Sequence, residues 1–142
     1  MMNSTGHIDK ISVPARPECL ASIRTFIEKQ TTQAGLDEKQ SYNVILSCDE
    51  ACSNLMRHSL MPDMNIILTA THLANILKIE ITDHGKPFNP LTYSETDISE
   101  RLHSFKRGGL GIHIIKSLID EITYTSTTAG NTLTFIKFIN KA

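Results

Sequence analysis

Between Tyr42 and His58 apolar residues recur at Val44, Ile45, Cys48, Cys52, Leu55 and Met56, close to the 3.6-residue period, and predict an amphipathic helix. Asp37 stands before it as an N-cap, with Gln40 three residues on in the place of a capping box. An earlier stripe of Leu20, Ile23, Phe26 and Ile27 predicts a helix that opens at Pro17, runs to about Gln33 and ends at Gly35. Elsewhere the period shortens to two. His7 to Val13 alternates before Pro14, as an edge strand would, and Met64 to Thr71 and Ile76 to Thr82 predict a hairpin closed by residues 72–75. After Asp83 the pattern lapses into a polar stretch, Leu91 to Arg107, of the length of a lid or binding loop. Gly108, Gly109 and Gly111 then open a third helix, carrying Ile112, Ile114, Ile115, Leu118 and Ile119. Glu121 to Thr127 and Thr132 to Ile139 predict two last strands joined through Thr128-Ala129-Gly130-Asn131. Strands and helices alternate without repeat or linker, so residues 1–142 are expected to form one domain.

Composition narrows the function classes. The formal net charge is −1, from 14 Lys and Arg against 15 Asp and Glu, and no basic cluster stands ready to neutralise a phosphate backbone or lipid surface. Neither a nucleic acid nor a membrane is therefore expected as a direct partner. Met1 to Lys10 lacks a basic segment followed by an apolar one, and no apolar run reaches membrane-spanning length, so a cytoplasmic location is expected. Cys19, Cys48 and Cys52 are odd in number, two of them on the apolar side of the central helix, and read as reduced core residues. The six histidines show no ligand spacing.

Three places combine residue types that chemistry uses. Glu50 and Asn54 lie four apart on the central helix, stacking a carboxylate and a carboxamide that can present hard oxygens to Mg²⁺ or orient a hydroxyl. Asp83 ends a strand and is followed by Gly85, a pairing that lets a carboxylate meet an exocyclic amine while a ring approaches the backbone. Gly108, Gly109 and Gly111 precede a helix whose free N–H groups favour an anion, and Lys106 and Arg107 add positive charge beside them.

In order and spacing these segments resemble the boxes of the GHKL, or histidine-kinase-like, ATP-binding fold. Glu50-Ala51-Cys52-Ser53-Asn54 with His58 is similar to its N box, and Asp83-His84-Gly85-Lys86-Pro87-Phe88 to its first glycine box. Arg107-Gly108-Gly109-Leu110-Gly111-Ile112 resembles the second, and Gly130-Asn131-Thr132-Leu133-Thr134 the third, with Asn131 where threonine is usual. Within that fold the Glu-Ala-Cys-x-Asn and Asp-x-Gly-x-Pro-Phe forms are most similar to the bacterial anti-sigma-factor serine/threonine kinases. The resemblance implies an α/β (α+β) two-layer sandwich, its sheet mixed but mostly antiparallel, with helices on one face. It implies ATP and Mg²⁺ as cofactors, Glu50 as the base that takes a proton from a substrate serine, and Asn54 as the Mg²⁺ ligand. Asp83 would bind the adenine amine beside Gly85 and Phe88. Lys106, Arg107, Gly108, Gly109, Leu110 and Gly111 would surround the phosphates, and a further polar contact would fall to Asn131 or Thr132. The implied partners are a sigma factor and an anti-sigma-factor antagonist of the STAS type, exchanged as the antagonist is phosphorylated, and a homodimer is possible through the first strand. An alternative of a different class is a nucleotide-binding regulatory module that holds partners without transferring phosphate.

Overall fold

The computed structural model describes residues 6–92 and 111–139. Five strands form one sheet: β1 (His7–Pro14), β2 (Asn65–Leu73), β3 (Ile76–Asp83), β4 (Glu121–Thr127) and β5 (Gly130–Phe138). Their order across the sheet is β1-β2-β3-β5-β4, and all four pairings are antiparallel. The mostly antiparallel sheet that was expected is therefore present, and the described strands contain no parallel pairing. Among the described residues three α-helices accompany it: α1 (Leu20–Gln33), α2 (Glu38–His58) and α3 (Gly111–Leu118).

The elements follow the patterns that predict them, with ends displaced by a few residues. Pro17 opens a 3₁₀ turn over Pro17–Cys19, and α1 begins only at Leu20. Asp37 caps α2 as expected, its Oδ1 accepting from the Gln40 backbone N–H at 2.7 Å. The loop between β2 and β3 tightens to Ala74 and Asn75 because Leu73 already pairs with Ile76.

Alternation in the strands decides which side of the sheet is covered. One phase, Val13, Ile66, Leu68, Leu77, Ile79, Ile81, Leu133 and Phe135, is buried, and it packs in one core with Ile23, Ile27, Val44, Cys48, Cys52 and Leu55 of α1 and α2 and Ile115 of α3. The opposite phase carries Ser12, Thr69, Thr71, Lys78, Glu80, Thr123 and Thr134, all of them exposed or half-buried. The described helices therefore lie on one face, as a two-layer sandwich requires. Polar bonds fasten the layers at their margins. Gln30 of α1 donates to Asp9 of β1 at 3.0 Å, and Lys137 of β5 reaches the Leu118 carbonyl at the end of α3 at 3.1 Å. The expected lid, 91–107, lies outside the described residues except for Leu91 and Thr92, which belong to a 3₁₀ turn, Pro90–Thr92.

Candidate functional site

Helical periodicity places Glu50, Asn54 and Arg57 at i, i+4 and i+7, one above another along one side of α2. Asn54 is 4% exposed. Its Oδ1 accepts from one guanidinium nitrogen of Arg57, whose other terminal nitrogen donates to Ser53 Oγ at 2.6 Å. Asn54 Nδ2 is buried with no hydrogen-bond partner among the described residues. Glu50 is half-buried, and loss of hydration raises its carboxyl above the ordinary value, with Arg57 pulling the other way and Asp49 adding to the rise. Asp49 itself is bound by Arg24 of α1 at 2.6 Å. A carboxylate raised in this way is a better proton acceptor near neutral pH than a fully solvated one.

The sheet supplies the facing wall. Asp83, 3% exposed, ends β3 opposite Asn131 of β5, which is buried to the same degree. Asp83 Oδ1 accepts from the Gly85 backbone N–H at 2.9 Å and from Asn131 Nδ2 at 3.0 Å. The same Nδ2 donates to the Gly85 carbonyl at 3.0 Å, and Asn131 Oδ1 accepts from Ser126 Oγ at 2.6 Å. Beyond Gly85 the chain is held by Tyr124, whose hydroxyl accepts from the Phe88 N–H at 3.1 Å, while the Phe88 ring stacks on His58 with centroids 4.9 Å apart. Burial pushes the Tyr124 hydroxyl above its ordinary value. Gly85 is needed where it stands because a Cβ there would come within 2.4 Å of Leu60 Cδ2 and 2.6 Å of the Ser59 carbonyl, at the end of α2. The same glycine thus seats the β3 terminus against the central helix.

Between these walls lies a narrow pocket lined by Ala51, Asn54, Leu55, Ile81, Asp83, Phe88, Pro90, Ile115, Tyr124 and Leu133. Of the residues expected at the site, it brings Asn54, Asp83 and Phe88 together. Glu50 lies one turn before Asn54 and outside the lining. Asn131 points at Asp83, so its amide positions the carboxylate. Thr132 falls in the opposite strand phase, where its hydroxyl stands 3.3 Å from that of Thr82 on the helix-free face, outside the pocket lining. Gly111 is the first residue of α3, and Lys106, Arg107, Gly108, Gly109 and Leu110 lie outside the described residues. Sequence reasoning missed Tyr124, Ser126 and Arg57. Tyr124 shares the inward phase of Ile122, and that alternation was the available signal.

Apolar walls closing on a buried carboxylate suit a flat ring bearing an exocyclic amine. At the helix side, a carboxamide oxygen and a half-buried carboxylate suit a cation and the oxygens it bridges. The described residues contain no group of three or more His, Cys, Asp or Glu that would hold a metal without help. That donor set fits Mg²⁺, which takes one or two protein ligands and completes its shell with water and phosphate.

The histidine kinase-like ATPase domain family matches residues 13–137, a span that includes both walls of this pocket. The chain belongs to that family. Among histidine kinase-like ATPase domain proteins it is similar to the serine-protein kinase RsbW of Staphylococcus aureus strains MSSA476 and Newman, at 27% identity over 147 aligned positions that cover 99% of this chain and 92% of each relative. The crystal structure of the RsbU and RsbW domains of a Mycobacterium tuberculosis protein shares the fold, with a TM-score of 0.65 at 14% identity. That match covers 96% of this chain, which spans 34% of the other. The resemblance read from the four boxes is thereby borne out. Among the described residues no helix is long and apolar enough to cross a membrane.

Proposed function

We propose that the protein is an ATP-dependent protein serine kinase that phosphorylates a STAS-type anti-sigma-factor antagonist and itself acts as an anti-sigma factor in the cytoplasm. The observation that carries this reading is the convergence of Asp83 and Asn54 on one apolar pocket, with the half-buried Glu50 one helical turn from Asn54. Kinship with relatives named serine-protein kinase supports phosphate transfer to serine.

Asp83, fixed through Oδ1 by Gly85 and Asn131, accepts the adenine amine, and Ile81, Phe88 and Leu133 wall the ring. Asn54 Oδ1 would hold the metal, and Mg²⁺ would supply charge neutralisation at the phosphates. Glu50 takes the proton from the substrate serine hydroxyl, and its raised affinity for protons suits that task. The family resemblance assigns the phosphates to the charges of Lys106 and Arg107 and to the backbone N–H groups of Gly109, Leu110 and Gly111, and partner exchange follows as the antagonist is phosphorylated.

Calorimetry of ATP binding in Mg²⁺, on the wild type and Asp83→Asn, is the first test, followed by phosphate transfer to the antagonist by Glu50→Gln. Mg-dependent binding weakened at least tenfold by Asp83→Asn, with binding kept and transfer lost in Glu50→Gln, is the expected result. Transfer retained by Glu50→Gln would remove the base. Binding without transfer by the wild type would leave a nucleotide-binding regulatory module.

A further inference from the structure

Among the described residues that line the pocket, only Asn54, Asp83 and Tyr124 bring a polar side chain to a wall that is otherwise apolar. With Asn54 assigned to the metal and Asp83 to the exocyclic amine of adenine, Tyr124 is the remaining side chain of that lining that can meet the base by a hydrogen bond. The third box offers no substitute. Asn131 uses its amide on Asp83, Gly85 and Ser126, and the Thr132 hydroxyl stands beside Thr82 on the helix-free face.

The bonding of Tyr124 makes it a donor. The Phe88 backbone N–H can only donate, so its bond to the phenol oxygen at 3.1 Å occupies a lone pair and leaves the phenol proton for another group. Burial pushes this hydroxyl above its ordinary value, against the Phe88 N–H and Ser126 and with the Asp83 carboxylate adding to the rise, so the proton stays on at neutral pH. Asp83 and Tyr124 thus sit close enough for the charge of one to act on the other, and both line the pocket from the sheet side. An acceptor beside a donor is the complement of adenine's outer edge, where the amine stands next to the acceptor N1. The sugar is carried by the five-membered ring, so the six-membered ring enters first and N1 is the nitrogen that flanks the amine inside.

We propose that Tyr124 is a specificity-determining residue of the nucleotide site, donating its hydroxyl proton to N1 of adenine beside the amine that Asp83 accepts. The inference rests on the assignment of the pocket to Mg-ATP and adds a second reader of the base. Guanine and hypoxanthine are refused at both groups, because each sets an oxygen against the Asp83 carboxylate and an N–H against the Tyr124 proton. Adenine satisfies both.

The test is calorimetric titration of the full chain in excess Mg²⁺, wild type and Tyr124→Phe, with ATP, with 1-deaza-ATP, which lacks the N1 acceptor, and with purine riboside triphosphate, which lacks the amine. The wild type is expected to bind 1-deaza-ATP about tenfold more weakly than ATP, the loss that follows when a hydroxyl in an apolar pocket has no acceptor. Tyr124→Phe should bind ATP about tenfold more weakly than the wild type and should no longer distinguish ATP from 1-deaza-ATP, because both changes remove the same bond. Its preference for ATP over purine riboside triphosphate, which Asp83 sets, should persist. A Tyr124 that only props Phe88 would weaken all three ligands by one factor in the variant, and that result overturns the proposal. So does a wild type that binds 1-deaza-ATP as tightly as ATP, a comparison that needs no altered protein; weaker binding of purine riboside triphosphate would then leave the pocket assignment standing. No ATP binding by the folded wild type would overturn both.

Discussion

Replacing Asn131 by alanine strikes the side chain that ties the end of β5 to Asp83 and Gly85 at the pocket wall. Its amide makes three bonds, to Asp83 Oδ1 at 3.0 Å, to the Gly85 carbonyl at 3.0 Å and from Ser126 Oγ at 2.6 Å, and it is 3% exposed. The bond to Asp83 is charge-assisted and contributes about 1.5–3 kcal/mol, since its loss leaves a buried carboxylate with the Gly85 N–H alone. The two neutral bonds add about 0.5–1.5 kcal/mol each, with the Gly85 carbonyl and Ser126 hydroxyl left to find water. Discounting for relaxation and water entry, Asn131→Ala should cost about 3 kcal/mol, or about 10 °C in Tm for a chain of this size. Urea titration measures the first, and ATP calorimetry should show at least tenfold weaker binding because Asp83 is no longer held. Asn131→Asp sharpens the reasoning. A second carboxylate against Asp83 Oδ1 forces one of the two to keep a proton, so its folded pKa rises above the unfolded value. Stability is then retained in acid and lost as pH rises, and the deficit against wild type should widen between about pH 4 and pH 7. A cost below about 1 kcal/mol for Asn131→Ala, with ATP affinity unchanged, would refute the claim that Asn131 positions Asp83.

Glu50→Gln should raise Tm near neutral pH, because burial lifts the carboxyl above the unfolded value and the folded state loses stability as pH rises through that shifted value; a gain that persists unchanged below pH ~4 would contradict the cause. Gly85→Ala should cost 2 kcal/mol or about that in urea, since its Cβ would lie 2.6 Å from the Ser59 carbonyl, a backbone atom that has little room to move, and wild-type stability would show that the β3 end is not seated on α2. Thiol titration without denaturant should modify Cys19 alone, because Cys48 and Cys52 are fully buried and both thiols are pushed far above their ordinary values; rapid reaction of either would place the core differently.

Much of this arrangement was readable from period alone. The 3.6 stripe on α2 fixed which side carries Glu50 and Asn54, and the capping pattern at Asp37 fixed where that helix starts. Alternation from Leu133 to Phe135 also implies that Asn131 faces inward and Thr132 outward, a distinction the four-box resemblance blurs because it names positions and not strand phases. What period cannot supply is the partner across the sheet. That Asp83 meets Asn131 depends on a register between strands far apart in sequence, and that Ser126 and Tyr124 complete the wall depends on β4 lying beside β5. Arg57 escaped for another reason: a basic residue in the last turn of a helix commonly serves the helix dipole, and only its bonds to Ser53 and Asn54 distinguish it.

The pairing of β3 with β5 bears on how the chain acquires its activity during synthesis. Asp83 and Asn131 are 48 residues apart, whereas β2 and β3 join through a turn of two residues, so the hairpin closes at little entropic cost and the pocket wall only after a long loop has been drawn in. A nascent chain that has emerged through β3 holds Glu50, Asn54 and Asp83 and still lacks the strand that aims the carboxylate. Competence for nucleotide accordingly requires that β5 has paired with β3, and ATP added to a refolding chain should accumulate on finished molecules and pull the equilibrium toward them by mass action.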